Sequence, residues 1–282
     1  MNVLRANKNK EVLNMATYTM KFKGIARKEL AQALANVLES ELSYKGAPSF
    51  NYTVKDANES EWVISKGDEL VFPADAINRA DTLGKLKDAL AETGFSTEGC
   101  TSKITISAEG HTGATLRNLL NMLASKENII LKAIGADDSN RLSREFIENI
   151  NHFRPETVEN FKELLSAPTA EGIKPLVEFG DGTITFNWFP ATLNTAEIEA
   201  YTLFAQALNQ QAMVQKTASN KETITDNEKF TFRVFLLKLG FIGDEYKSAR
   251  KVLLKNLSGN GSFATESSLQ KALKKRKQPV AI

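Results

Sequence analysis

Three stretches of the chain alternate apolar and polar residues at period two, and each runs into a helical pattern. In YTMKFKG (18–24), Met20 and Phe22 alternate with Thr19, Lys21 and Lys23, and the helix RKELAQALANVLES (27–40) follows. In KITISAEG (103–110), Ile104 and Ile106 alternate with Thr105 and Ser107, ahead of TLRNLLNMLAS (115–125). In TITFNWFP (183–190), Ile184, Phe186 and Trp188 alternate, ahead of TAEIEAYTLFAQALNQQAM (195–213). Upstream of the last two strands, TLGKLKDALAE (82–92) and TVENFKELLSA (157–167) read as helices, each opened by a threonine cap. A helix–strand–helix unit is thus used twice, by duplication or through a shared hydrophobic pattern. Between the first two units, PSFNYTV (48–54), EWVIS (61–65) and ELVFP (69–73) read as a β-meander. KGD (66–68) supplies a hairpin turn there, and GDG (180–182) supplies another.

The expected fold is α+β: a mostly antiparallel sheet built from repeated strand–helix units, helices on one face, and a C-terminal helical hairpin. The expected divisions are a disordered extension over 1–16, a first α/β unit over 17–135 and a second over 141–216. A helical hairpin packed on the second unit (226–263) and a basic tail (264–282) complete them. GADDSNR (135–141) is the internal boundary and TASNKETITDNE (217–228) a polar linker.

In the hairpin, the apolar residues Phe230, Phe232, Val234, Phe235, Leu236, Leu237 and Leu239 cover most of a helical wheel, so the first helix should be central. GFIG turns the chain, and Asp244 is placed to cap the second helix. That helix is amphipathic. Tyr246, Ala249, Leu253 and Leu257 form its buried face, and Lys247, Lys251 and Lys255 form a stripe with Arg250 at its edge. Beyond the SGNG stop (258–261), Lys274, Lys275, Arg276 and Lys277 are consecutive cations.

The net charge of +2 conceals an asymmetry. Residues 229–282 carry 12 Lys/Arg against 3 Asp/Glu, a balance of +9, and the remaining 24 against 31 give −7. An acidic body with a basic end points to a polyanionic or acidic partner, or to a solvated tail. The outline of two helices around a glycine turn is that of a helix-turn-helix, although Asp244 and Glu245 would repel phosphate where such a motif meets DNA. Lysine-rich contacts suit phosphates rather than base edges.

Catalytic signatures are sparse. The single cysteine, Cys100, excludes an intramolecular disulfide and a cysteine zinc site and fits a reducing cytoplasm. No apolar run approaches the roughly 20 residues of a membrane span. The two histidines, His111 and His152, are isolated, and no metal or cofactor is expected. Gly110, His111, Thr112 and Gly113, at a strand-to-helix junction, are either a cap and turn or a weak anion site built from backbone N–H groups.

Three segments, YKGAPSFNYTV (44–54), GHTGATLRNLLNML (110–123) and FRVFLLKLGFIGDEYKSARKVLLKNLSG (232–259), resemble a family labelled virulence-related. Its members are encoded on conjugative elements and prophages of Gram-positive gut bacteria. The resemblance implies a mobile-element setting. The expectation is therefore a non-enzymatic cytoplasmic accessory protein that binds nucleic acid or a nucleoprotein. It would act through Lys247, Arg250, Lys251, Lys255 and residues 274–277, against a host defence nuclease such as a CRISPR effector. The alternatives are an assembly module docking on a protein partner, and an enzyme acting on a phosphorylated ligand at the GHTG junction.

Overall fold

The computed structural model describes residues 16–74, 81–136, 141–173 and 176–263. The extension expected over 1–16 lies outside these except for Ala16, and the basic tail lies outside them entirely.

The period-two stretches pair into one eight-stranded sheet. Its strands are β1 (Ala16–Lys21), β2 (Ser43–Tyr44), β3 (Tyr52–Lys55), β4 (Glu61–Ile64), β5 (Glu69–Pro73), β6 (Thr101–Ser107), β7 (Val177–Phe179) and β8 (Thr183–Phe186). Their spatial order is β2-β3-β4-β5-β1-β6-β8-β7, and every neighbouring pair is antiparallel. The two sequence units share this sheet, because β6 of the first pairs with β8 of the second. The pair is centred on Thr105 and Thr185, whose hydroxyls are 2.9 Å apart. KGD and GDG turn the chain between β4 and β5 and between β7 and β8.

One face of the sheet is apolar and buried under helices. Tyr18 lies opposite Phe72 and Ile104, Met20 opposite Leu70, and Ile104 opposite Phe186, all inaccessible to solvent. Helix α1 (Arg27–Leu38) buries Leu30, Ala31, Leu34 and Ala35 against β3 and β4, and α2 (Thr82–Ala91) packs on α1. The expected threonine cap holds for α5 (Val158–Leu165), where Thr157 accepts the N–H of Asn160. It fails for α2, where Asp81 is the N-cap and Thr82 lies inside the helix.

Helix α6 (Thr195–Val214) is the central one. It contacts β6 and β1 on one side and α3 (Gly113–Ile134) and α8 (Lys247–Leu254) on others. The hydroxyl of Tyr18 ties its start to β1 by donating to the Thr192 carbonyl (3.0 Å) and accepting the Thr192 N–H (3.1 Å). A polar helix, α4 (Arg144–Phe153), leads into α5, and α7 (Glu228–Lys238) pairs with α8.

Three expectations need correction. The polar stretch 217–228 is not a free linker. Asn118 accepts the N–H of Ala218, Asn121 donates to its carbonyl, and Ser125 donates to the Lys221 carbonyl, so buried side chains of α3 hold the strand of chain in place. Asp244 does not cap α8; it opens a 3-10 turn, Asp244–Tyr246, ahead of that helix. Helix α7 is not buried all round. Phe232, Phe235 and Leu236 are buried, but Leu237 is only partly buried and Val234 is 47% exposed.

Of the expected buried face, Ala249 and Leu253 on α8 and Leu257 beyond its end are buried, whereas Tyr246 lies in the preceding 3-10 turn and is half-buried; Lys247, Lys251 and Lys255 are exposed. Leu253→Ala is expected to cost about 2–3 kcal/mol, since truncating a fully buried leucine removes its transfer energy and leaves a void. Lys251→Ala should cost less than about 0.5 kcal/mol. Equal urea midpoints for the two variants would contradict the packing of α8 on α6.

Candidate active site

The other face of the sheet carries the polar members of each alternating strand. Lys21 of β1 lies opposite Glu69 of β5 and Thr101 of β6, and Thr19 lies opposite Val71 and Lys103. Lys103 reaches across β1 to Glu69, with Nζ and Oε1 3.0 Å apart. Thr19, between them, is only 5% exposed although its side chain belongs to this face. Glu178 of β7 and Asn187, just beyond β8, complete a cleft of about 310 Å³ together with Thr101 and Ser102. Among the described residues, Lys21 has no carboxylate within 4.0 Å and Glu178 has no cation within 4.0 Å. Two ammonium groups and two carboxylates therefore share one shallow site on a rigid sheet.

The lining does not fit a divalent ion. Among the described residues no group of three His, Cys, Asp or Glu side chains converges anywhere. In the cleft, one of the two carboxylates is already engaged by Lys103. A hard cation takes several oxygen ligands, whereas the lysines here would repel it and attract anions.

The GHTG junction is assembled differently. Thr112 is the N-cap of α3 in a reciprocal capping box with Thr115. The N–H of Gly113 donates to the Glu156 carbonyl (2.9 Å), and that of His111 donates to the Ala108 carbonyl. His111 is buried, with Nδ1 2.9 Å from the Thr115 hydroxyl and Nε2 2.7 Å from Asn209 Oδ1. The Asn209 amide nitrogen donates to the Ser107 carbonyl, which turns Oδ1 to the ring, so Nε2 carries the proton. Burial holds the imidazole below its ordinary pKa, partly offset by the bond to Asn209. These N–H groups serve as a cap and turn, and chain segment 155–157 covers the helix start.

A family model described as "Putative amidoligase enzyme" matches residues 18–209, more than half of the chain. The chain belongs to the amidoligase family. The match begins in β1, takes in every later strand and ends inside α6, so the lysine–glutamate cleft lies wholly within the amidoligase region and α7 and α8 lie outside it. No curated protein and no solved structure matches the chain.

Membership in an enzyme family overturns the expectation of a non-enzymatic, nucleic-acid-binding, anti-defence protein. That expectation rested on the resemblance to a mobile-element family and on charge at the C-terminal end, and the structure gives two of those four helix cations internal duties. Arg250 donates to the carbonyls of Phe241 and Gly243 and so closes the GFIG turn. Lys255 pairs with Glu197 at 2.6 Å. Burial alone would raise the Glu197 carboxyl, but the donors Lys255 and Thr192 hold it below the ordinary carboxylate range. Lys247 and Lys251 have no carboxylate within 4.0 Å among the described residues, and 274–277 lie outside those residues. Among the described residues no helix is long and apolar enough to cross a membrane.

Sequence reasoning missed Lys21, Glu69, Lys103, Glu178 and Asn187 as a group. The signal was present strand by strand, as the polar half of each alternation, but only the register joins residues of four separate strands and the loop after β8.

Proposed function

We propose that this member of the amidoligase family joins a carboxylate to an amine in the cleft on the open face of the sheet. The observation that carries the reading is the pair Lys21 and Lys103 beside Glu69 and Glu178, within the family-matched region. Amide formation requires the carboxylate oxygen to leave, so the acid must first be activated, and a phosphoryl donor is the co-substrate class for that step. Lysine ammoniums, compact point charges with three donors each, suit carboxylate and phosphoryl oxygens. They would neutralise charge as it develops on the departing oxygen, where preorganised donors are worth most. The incoming amine arrives as an ammonium and must lose a proton before it attacks. Glu178, which has no cation within 4.0 Å among the described residues, is the group to hold that ammonium and take the proton. A chain with one cysteine needs no disulfide, which suits a cytoplasmic reaction.

The test is amine-dependent phosphate release from a nucleoside triphosphate, across a panel of amino acids and short peptides, with the amide product followed by mass. Lys103→Met and Lys21→Met should each lower turnover on the order of 100-fold, the usual consequence of deleting one transition-state donor, with unchanged melting temperature. Turnover in the variants equal to that of the intact protein, or no amine-dependent release at all, would overturn the assignment.

A further inference from the structure

Helix α7 carries six large apolar residues, Phe230, Phe232, Val234, Phe235, Leu236 and Leu237, yet only Phe232, Phe235 and Leu236 are buried. Its remaining side faces a cavity of about 440 Å³ between α3 and the segment that follows α6. Phe230, Val234, Phe235 and Met122 form an apolar wall, and Lys126 and Lys238 supply two cations. Among the described residues no Asp or Glu lines the cavity, and neither lysine has a carboxylate within 4.0 Å. Lys126 is held in place: Nζ donates to the Thr223 hydroxyl at 2.5 Å and lies 5.7 Å from the centre of the Phe235 ring. Gln215 borders the same space, and its Nε2 is buried without an acceptor among the described residues.

We propose that this cavity is a binding site for a small organic carboxylate with an apolar body, separate from the cleft on the open sheet face. Its volume falls in the range of small-molecule sites, which pair an apolar lining with a few placed polar groups. Two cations that share an enclosure without a counter-ion repel each other, and a bound carboxylate relieves that repulsion. Consistent with this, burial and then the nearby Lys238 charge hold the Lys126 ammonium below its ordinary pKa. The apolar wall selects a ligand with a hydrophobic body over inorganic phosphate, whose several charged oxygens would face Phe230 and Val234. The cavity lies in the helical layer, on the side of the sheet opposite Lys21 and Lys103, so its occupant is not the substrate pair of the ligation cleft.

Calorimetric titration of the full chain with naphthalene-2-carboxylate, its neutral carboxamide and its aminomethyl analogue tests this. The carboxylate should bind at least about tenfold more tightly than the carboxamide, because it alone makes charge-assisted bonds, and the aminomethyl compound should not bind. Lys238→Gln should weaken the carboxylate by about tenfold and leave the carboxamide unchanged. Both lysines lie outside the ligation cleft, so amine-dependent turnover should be unaffected and the two readings fail separately. Equal affinity for acid and amide, indifference of the acid to Lys238→Gln, or no binding of the acid at about 10 mM would each overturn the proposal.

Discussion

Gly113→Ala is expected to destabilise the protein by about 3 kcal/mol or more, enough to prevent folding in a chain of marginal stability. A Cβ at this position would lie 2.2 Å from the Thr157 carbonyl oxygen and 2.9 Å from the carbonyl of Pro155. These are backbone atoms and cannot swing aside as a side chain could. The contact also carries a hydrogen bond from the Gly113 N–H to the Glu156 carbonyl, so retreat of segment 155–157 would break it. Relief would require α3 to move, and α3 packs on α5, α6, α7 and α8. Gly110→Ala is the internal control. There φ is +82°, but the added Cβ meets only the Met213 sulfur at 3.6 Å. That substitution should cost about 1–2 kcal/mol, the strain of a left-handed non-glycine residue. Equal urea midpoints for the two alanine variants would contradict the close approach of α3 to the 155–157 backbone.

Glu127→Ala is expected to cost about 2 kcal/mol, chiefly by leaving the buried Leu142 N–H without its acceptor, since the side chains of Arg141 and Arg144 are 37% and 48% exposed. Glu127 is 2% exposed on α3. One oxygen accepts the Leu142 N–H at 2.5 Å, and the other lies 3.0 Å from Arg144 Nη2 and 3.6 Å from Arg141 Nη1. It therefore receives the chain at the start of α4 and fixes that helix to α3. Alanine would strand the Leu142 donor and leave two guanidiniums without their common anion. Glu127→Gln retains an acceptor and should recover about half of the loss. Chemical denaturation of the three proteins measures this, and a Glu127→Ala variant as stable as the intact chain would show that α4 is not held through this carboxylate.

Local rules set much of the architecture. Alternation at Met20, Ile104, Ile106, Ile184 and Phe186 specified strands and their buried side, because side chains at period two lie on one face whatever the strand pairs with. Thr157, the KGD and GDG turns and the inward stripe of α8 were legible for the same reason: each depends on residues within a few positions of one another. Other features depended on partners distant in the chain. Helix α7 has an apolar wheel that implies full burial, but α3 and α8 cover only part of it, and its uncovered side lines a cavity. Polar residues at 217–228 read as a linker because their acceptors and donors, Asn118, Asn121 and Ser125, lie about 100 positions earlier. The GHTG junction offers backbone N–H groups in sequence, and the packing of 155–157 takes them up. The charged cleft was the least legible of all. Lys21, Glu69, Lys103 and Glu178 are ordinary surface residues on their own strands, and only the antiparallel order β5-β1-β6-β8-β7 turns them to one face as neighbours. Sequence determined which side of each strand is polar; pairing between distant strands decided that those polar sides form a single charged site.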